Sequence, residues 1–219
     1  IILPFYTRKA EKSNLHMFNV VVKTALKTLL GVIIALLIAF AIASLGFPGS
    51  MASLFENWGN YSLATGYASL SYSYSGNAED LARCFQDSVL AGNDGDIVRY
   101  GEELYAHKDF ADVCESKNEQ LGTISGKVKI DYKQYVYGSV ACAKYNQDGI
   151  KSAIETANAA MDDAVGFPEN KALAQLALRV IAKADVDGAA ELLKEIEKHH
   201  TDSIYYQAVK EQLLKIANS

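Results

Sequence analysis

From Leu29 to Leu45 the chain runs LLGVIIALLIAFAIASL, seventeen residues without a charge, and Thr28 before it with Gly46 and Phe47 after it extend the uncharged run to twenty. At about 1.5 Å per residue, a helix of that length crosses a hydrocarbon layer of roughly 30 Å. The pattern predicts a membrane-spanning helix over 29–47, anchored by Leu29, Leu30, Ile33, Ile34, Leu36, Leu37, Ile38 and Phe40. After the break at Gly46-Phe47-Pro48-Gly49, Ser50 to Trp58 places Met51, Leu54, Phe55 and Trp58 on one helical face. Two readings of that 48–60 linker stand side by side: a helix lying in the bilayer interface, or a cap packed on the following domain. From Asn60 onward, apolar residues recur at three- and four-residue spacings between turns rich in Gly, Asn and Asp. Helices are predicted at 61–74, 78–91, 97–107, 110–121, 132–145, 150–165, 170–183, 189–200 and 203–217. No stretch alternates with period two, so the domain over 61–219 reads as all-α.

Charge changes the picture by giving the segment a direction. The flank over 1–28 holds Arg8, Lys9, Lys12, Lys23 and Lys27 against Glu11, a net +4, while the remaining 16 basic and 25 acidic residues leave the rest of the chain at −9. Beyond the apolar run no Lys or Arg occurs until Arg83. Basic residues close to a spanning helix favour the cytoplasmic side, which predicts a single pass with the N-terminus in the cytoplasm and the domain outside it. A cleavable signal peptide is the rival reading, with Met17 as a start, Lys23 and Lys27 as the basic region and Ala41-Ile42-Ala43 as the cleavage site; it predicts a secreted solute- or polymer-binding protein. A helix buried in a soluble core is a third option, disfavoured by a surface apolar all round. The opening IILPFYTRKAEKSNLH, without an initiator Met, reads as an upstream extension or an incomplete start.

Composition narrows the chemistry. Cys84, Cys114 and Cys142 form no Cys-x-x-Cys; they read as small core residues, with Cys84 and Cys114 the pair that would bridge in an oxidising compartment. The strongest catalytic or metal-binding candidate is Glu197-x-His199-His200-x-Asp202, yet adjacent histidines on a helix point about 100° apart and do not readily share an ion with Glu197. Metalloprotease, nucleophile-elbow and phosphate-loop motifs are absent from the sequence. The chain is expected to be no enzyme, to need no cofactor or metal, and, being acidic, to bind no nucleic acid. A helical enzyme of unrecognised type and a structural subunit of a membrane complex, with Gly31, Ala35, Ala39 and Ala43 as a small-residue stripe, stay open as alternatives.

Internal similarity points to one function class above these. Tyr72-Ser-Tyr-Ser-Gly76-Asn77-Ala-Glu-Asp-Leu81-Ala-Arg-Cys-Phe85 resembles the turn and second helix of a tetratricopeptide repeat. The position of Leu81 recurs at Ala153 and Ala189, at intervals of 72 and 36 residues, with Ser69, Ala141 and Ala177 twelve residues upstream of each. The resemblance covers 61 to about 200, with a degenerate unit between Gly95 and Gly126, and most of the family's Trp, Gly and Pro landmarks are missing. It implies a bacterial-type, membrane-anchored α-solenoid of helical hairpins whose first helices line a groove for a peptide or partner protein. Carried over by phase, the groove would comprise Tyr74, Tyr135, Gly138, Cys142, Tyr145, Asn146, Lys171, Ala174 and Leu178. Net acidity suits a basic partner. Thirteen tyrosines against one tryptophan suit either a contact surface or semi-buried packing. The last helix would cap the array or pair with a second copy, so the oligomeric state is open.

Overall fold

The computed structural model describes residues 3–125, 131–161, 170–199 and 204–219, and among these it forms eleven α-helices and no strand. The chain divides into two compact units, Ile1–Pro48 and Gly49–Ser219. The first is built from α1, Leu3–Gly46, in which Phe18–Gly46 is long and apolar enough to cross a membrane. Its eight predicted anchor side chains are all exposed, and none of its apolar window is buried, which rules out the core-helix reading. The Thr24 hydroxyl donates to the Val20 carbonyl at 2.9 Å and the Thr28 hydroxyl to the Thr24 carbonyl at 3.0 Å. Both polar groups are thus satisfied within the helix. The 29 residues of the candidate span measure about 44 Å, more than a hydrocarbon layer of roughly 30 Å.

The second unit holds α2 (Pro48–Asn57, from Gly49 on), α3 (Tyr61–Ser75), α4 (Ala78–Ala91), α5 (Asp94–Ala106), α6 (Phe110–Ser125), α7 (Tyr132–Gln147), α8 (Ile150–Asn158), α9 (Lys171–Lys183), α10 (Val186–His199) and α11 (Ile204–Ala217). Asparagine and aspartate set the helix starts. Asn60, Asn77, Asn93, Asp131 and Asn170 each accept a backbone N–H of the first turn of α3, α4, α5, α7 and α9. Gly76 and Gly92 close α3 and α4 in the left-handed conformation that a residue without Cβ adopts at least cost. The α2 helix caps the domain: Ala52 is fully buried in the core, and Phe55 stacks on Tyr67 with ring centroids 5.3 Å apart. Trp58, edge-on to Phe55 at 5.6 Å, stays exposed.

Packing pairs α3 with α4 and α7 with α8 as tight hairpins, whereas α5 lies mainly on α4 and α7, and α9 on α7 and α11. Two cores result. One joins α2 through α7 around Leu81, Phe85, Leu104 and Val140; the other joins α7 through α11 around Leu173, Leu176, Leu192 and Leu213. They meet at α7, where Tyr137 packs against both. Leu81, Ala153 and Ala189, equivalent by repeat phase, are all fully buried, as are Ala141 and Ala177. The predicted helix over 150–165 ends at Asn158, and 162–169 lie outside the described residues, as do 126–130. All three cysteines are free, so Cys84 and Cys114 form no bridge.

Close approach of α5 to α7 depends on Gly101, where an added Cβ would run into Val140 and lie 3.3 Å from the Phe85 ring. Since both neighbours are fully buried, Gly101→Ala is expected to cost about 1–3 kcal/mol in denaturant unfolding. Gly66→Ala, on the open face of α3 with no atom within 4 Å, should instead stabilise by about 0.5–1 kcal/mol. Equal effects at the two positions would refute the packing assignment.

Candidate functional site

A groove of about 520 Å³ opens where α7 and α9 run side by side. Its walls repeat one spacing: Ser139, Cys142, Ala143 and Asn146 on α7, and Gln175, Leu178, Arg179 and Ala182 on α9. Each set follows i, i+3, i+4, i+7, the spacing of a single helical face. Val89, Gly92, Asp94 and Ile97 from the α4–α5 junction close the far side. Small side chains leave the room, since Ala143 is buried and Ser139 nearly so.

Polar groups inside the groove are fixed to each other. Asn146 Nδ2 donates to Asp94 Oδ2 at 2.7 Å, Lys183 Nζ donates to Asn146 Oδ1 at 2.6 Å, and Gln175 Nε2 donates to Ser139 Oγ at 3.3 Å. Lys183 also lies over the Tyr145 ring, 4.6 Å from its centroid. The Tyr145 hydroxyl donates to Asp185 Oδ2 at 2.5 Å. That bond, with a further one from the Gly188 N–H, holds the Asp185 carboxyl below its ordinary value, and burial together with Asp185 raises the Tyr145 phenol. Leu178 stands out as an apolar side chain on the groove wall with 57% of its surface exposed.

Of the predicted groove residues, Cys142, Asn146 and Leu178 line this groove together. Tyr135 lines a neighbouring cleft and packs edge-on against Phe85. Gly138 and Ala174 are buried: a Cβ on Gly138 would lie 3.1 Å from the Ala172 Cα, so Gly138 sits at the contact between α7 and α9, while Ala174 belongs to the second core. Tyr145 is buried too, with its hydroxyl committed to Asp185. Tyr74, 64% exposed, and Lys171, at the first position of α9, line neither cleft. Arg179, Gln175, Ser139 and Asp94 were missed. The i, i+3, i+4, i+7 set shared with Leu178 is the signal that would have found Arg179 and Gln175.

Burial sets the state of the three thiols. Burial, outweighing nearby Arg179, pushes the Cys142 thiol up to about 11, and burial raises Cys84 and Cys114 to about 12. Among the described residues no set of three His, Cys, Asp or Glu side chains could hold a metal ion; His199 and Glu197 sit at the end of α10, while His200 and Asp202 lie outside the described residues. At pH 7.5 maleimide should label all three cysteines at least about tenfold more slowly than a free thiol, followed site by site by mass spectrometry. A fast-reacting Cys142 would contradict this environment. Compared with protein-family models, curated proteins and solved structures, the chain matches none.

Proposed function

We propose that the chain is a membrane-anchored, extracytoplasmic adaptor of tetratricopeptide-like type, in which the α7–α9 groove docks a peptide segment of a partner protein. The groove carries this reading. Two helices present matched i, i+3, i+4, i+7 faces across about 520 Å³, with an exposed Leu178 beside fixed hydrogen-bonding groups. Such a surface combines an apolar anchor point with polar groups that select register. The +4 flank before the candidate span, the −9 domain after it and the gap in basic residues up to Arg83 support N-terminus-in topology. Tethering would raise the local concentration of the groove at the membrane and make weak docking effective. The acidic domain would draw basic partners toward it over a distance of about a Debye length.

Photo-crosslinking in native membranes tests the reading. A benzophenone side chain at position 178 is expected to trap one discrete partner, and the same probe at Leu63, exposed on α3, should trap none. Leu178→Asp should lower recovery of that partner at least about tenfold at an unchanged thermal midpoint, given about 1.5–3 kcal/mol for a buried Leu. Equal crosslinking at 178 and 63 would sink the groove. Protease protection of the domain in sealed vesicles tests the orientation separately.

A further inference from the structure

Among the described helices of the Gly49–Ser219 unit, α3 alone carries no charged side chain. The neutrality extends along the chain: between Thr28 and Ala78 only Glu56 is charged, and its carboxylate accepts from Arg83 Nε at 2.5 Å. The helix packs mainly on α4. Ser71 and Ser75 donate to Asp80 of α4, and the Tyr72 hydroxyl donates to Glu103 of α5, so the polar groups of that side are committed. Leu63, Gly66, Leu70 and Tyr74 follow i, i+3, i+7, i+11 along the other side. Leu63 is 47% and Tyr74 64% exposed, and a Cβ added at Gly66 meets nothing within 4 Å. Tyr67, at the edge of this stripe, stacks on Phe55, and Phe55 meets the exposed Trp58 edge-on. Aromatic rings thus continue the stripe onto the end of α2.

A charged partner finds no counter-charge on this face. A second copy is poorly served too: one helix about 22 Å long and about 10 Å wide presents about 220 Å², against about 800 Å² per partner in a standard interface. The headgroup layer of a bilayer suits it. Trp and Tyr place an apolar body against acyl chains and a polar tip in the wet layer, and no charge has to be dehydrated. The length of the chain keeps the face near a membrane, since Tyr61 opens α3 fifteen residues after Gly46 closes α1, with the roughly 15 Å of α2 between them. At such an enforced local concentration a weak lipid contact suffices.

We propose that the Leu63–Gly66–Leu70–Tyr74 face of α3, together with Trp58, is a surface for the headgroup layer of a zwitterionic phospholipid bilayer. No Lys or Arg stands on the face to attract an anionic headgroup, and the chain after the apolar run, at −9, is repelled by one. The inference rests on α1 crossing the bilayer and holds whether or not the α7–α9 groove docks a peptide.

The test uses the full chain in phosphatidylcholine nanodiscs, with a nitroxide on a single introduced cysteine: Ile38→Cys, Leu63→Cys, Tyr74→Cys or Leu178→Cys. Brief labelling leaves the sheltered native thiols unreacted. Collision rates are measured with oxygen, which concentrates in lipid, and with a nickel chelate, which stays in water. Positions 63 and 74 should meet the chelate at least about threefold less often than position 178, although Leu178 is just as exposed in the protein itself. Adding Leu63→Glu should raise the rate at position 74 to that of position 178. Water-like rates at 63 and 74 with lipid-like rates at 38 overturn the proposal and leave the span standing, whereas water-like rates at 38 overturn both. Shielding at 63 or 74 accompanied by spectral broadening that unlabelled chain dilutes away assigns the face to a second copy and overturns the lipid contact. Shielding that appears only after phosphatidylglycerol is added overturns it as well.

Discussion

The Gly49–Ser219 unit depends on one helix serving two cores at once. Among its buried residues, α7 places Val136 and Val140 in the core shared with α4 and α5, and Ala141 in the core shared with α9 and α10. A helix contacted from several sides has to be thin, and Gly138, Ser139, Ala141 and Ala143 make it so. Its one buried side-chain amide is engaged at both ends: Gln134 Nε2 donates to the Ala160 carbonyl at 3.3 Å, and Gln134 Oε1 accepts the Ala172 N–H at 3.0 Å. The second bond satisfies a first-turn donor of α9 that no intrahelical partner reaches. The groove follows from the same thinness, since a floor of small side chains between two helices leaves space above it.

Much of this was legible in the sequence because it is local. Turn residues marked where helices begin, and apolar spacing marked which residues go inside, down to Leu81, Ala153 and Ala189. Two starts moved upstream because a cap extends a helix beyond its apolar run: Asn93 accepts the Asp96 N–H to begin α5, and the Asp185 side chain accepts the Gly188 N–H at the start of α10. The site was legible only in part. Gly138 and Ala174 stand one residue before Ser139 and Gln175, and one residue turns a helix by about 100°, enough to separate a buried position from the groove wall. The pairing of helices is the least local property. Regular repeats imply hairpins at α5–α6 and α9–α10, and there the packing is spread over other neighbours.

Charge offers a similar lesson about averages. The part of the chain after the apolar run sums to −9, but Arg179 and Lys183 stand at the α7–α9 groove, and the sheltered acidity gathers on α2 and α4 around Arg83. A net figure sets the long-range field, while each cleft has its own local sign.

The Arg83 fork has a mechanical side. Arg83 grips α2 at three successive heights: Gly49, Ser53 and Glu56. One side chain of α4 thus fixes α2 along its length and holds it where Phe55 stacks on Tyr67.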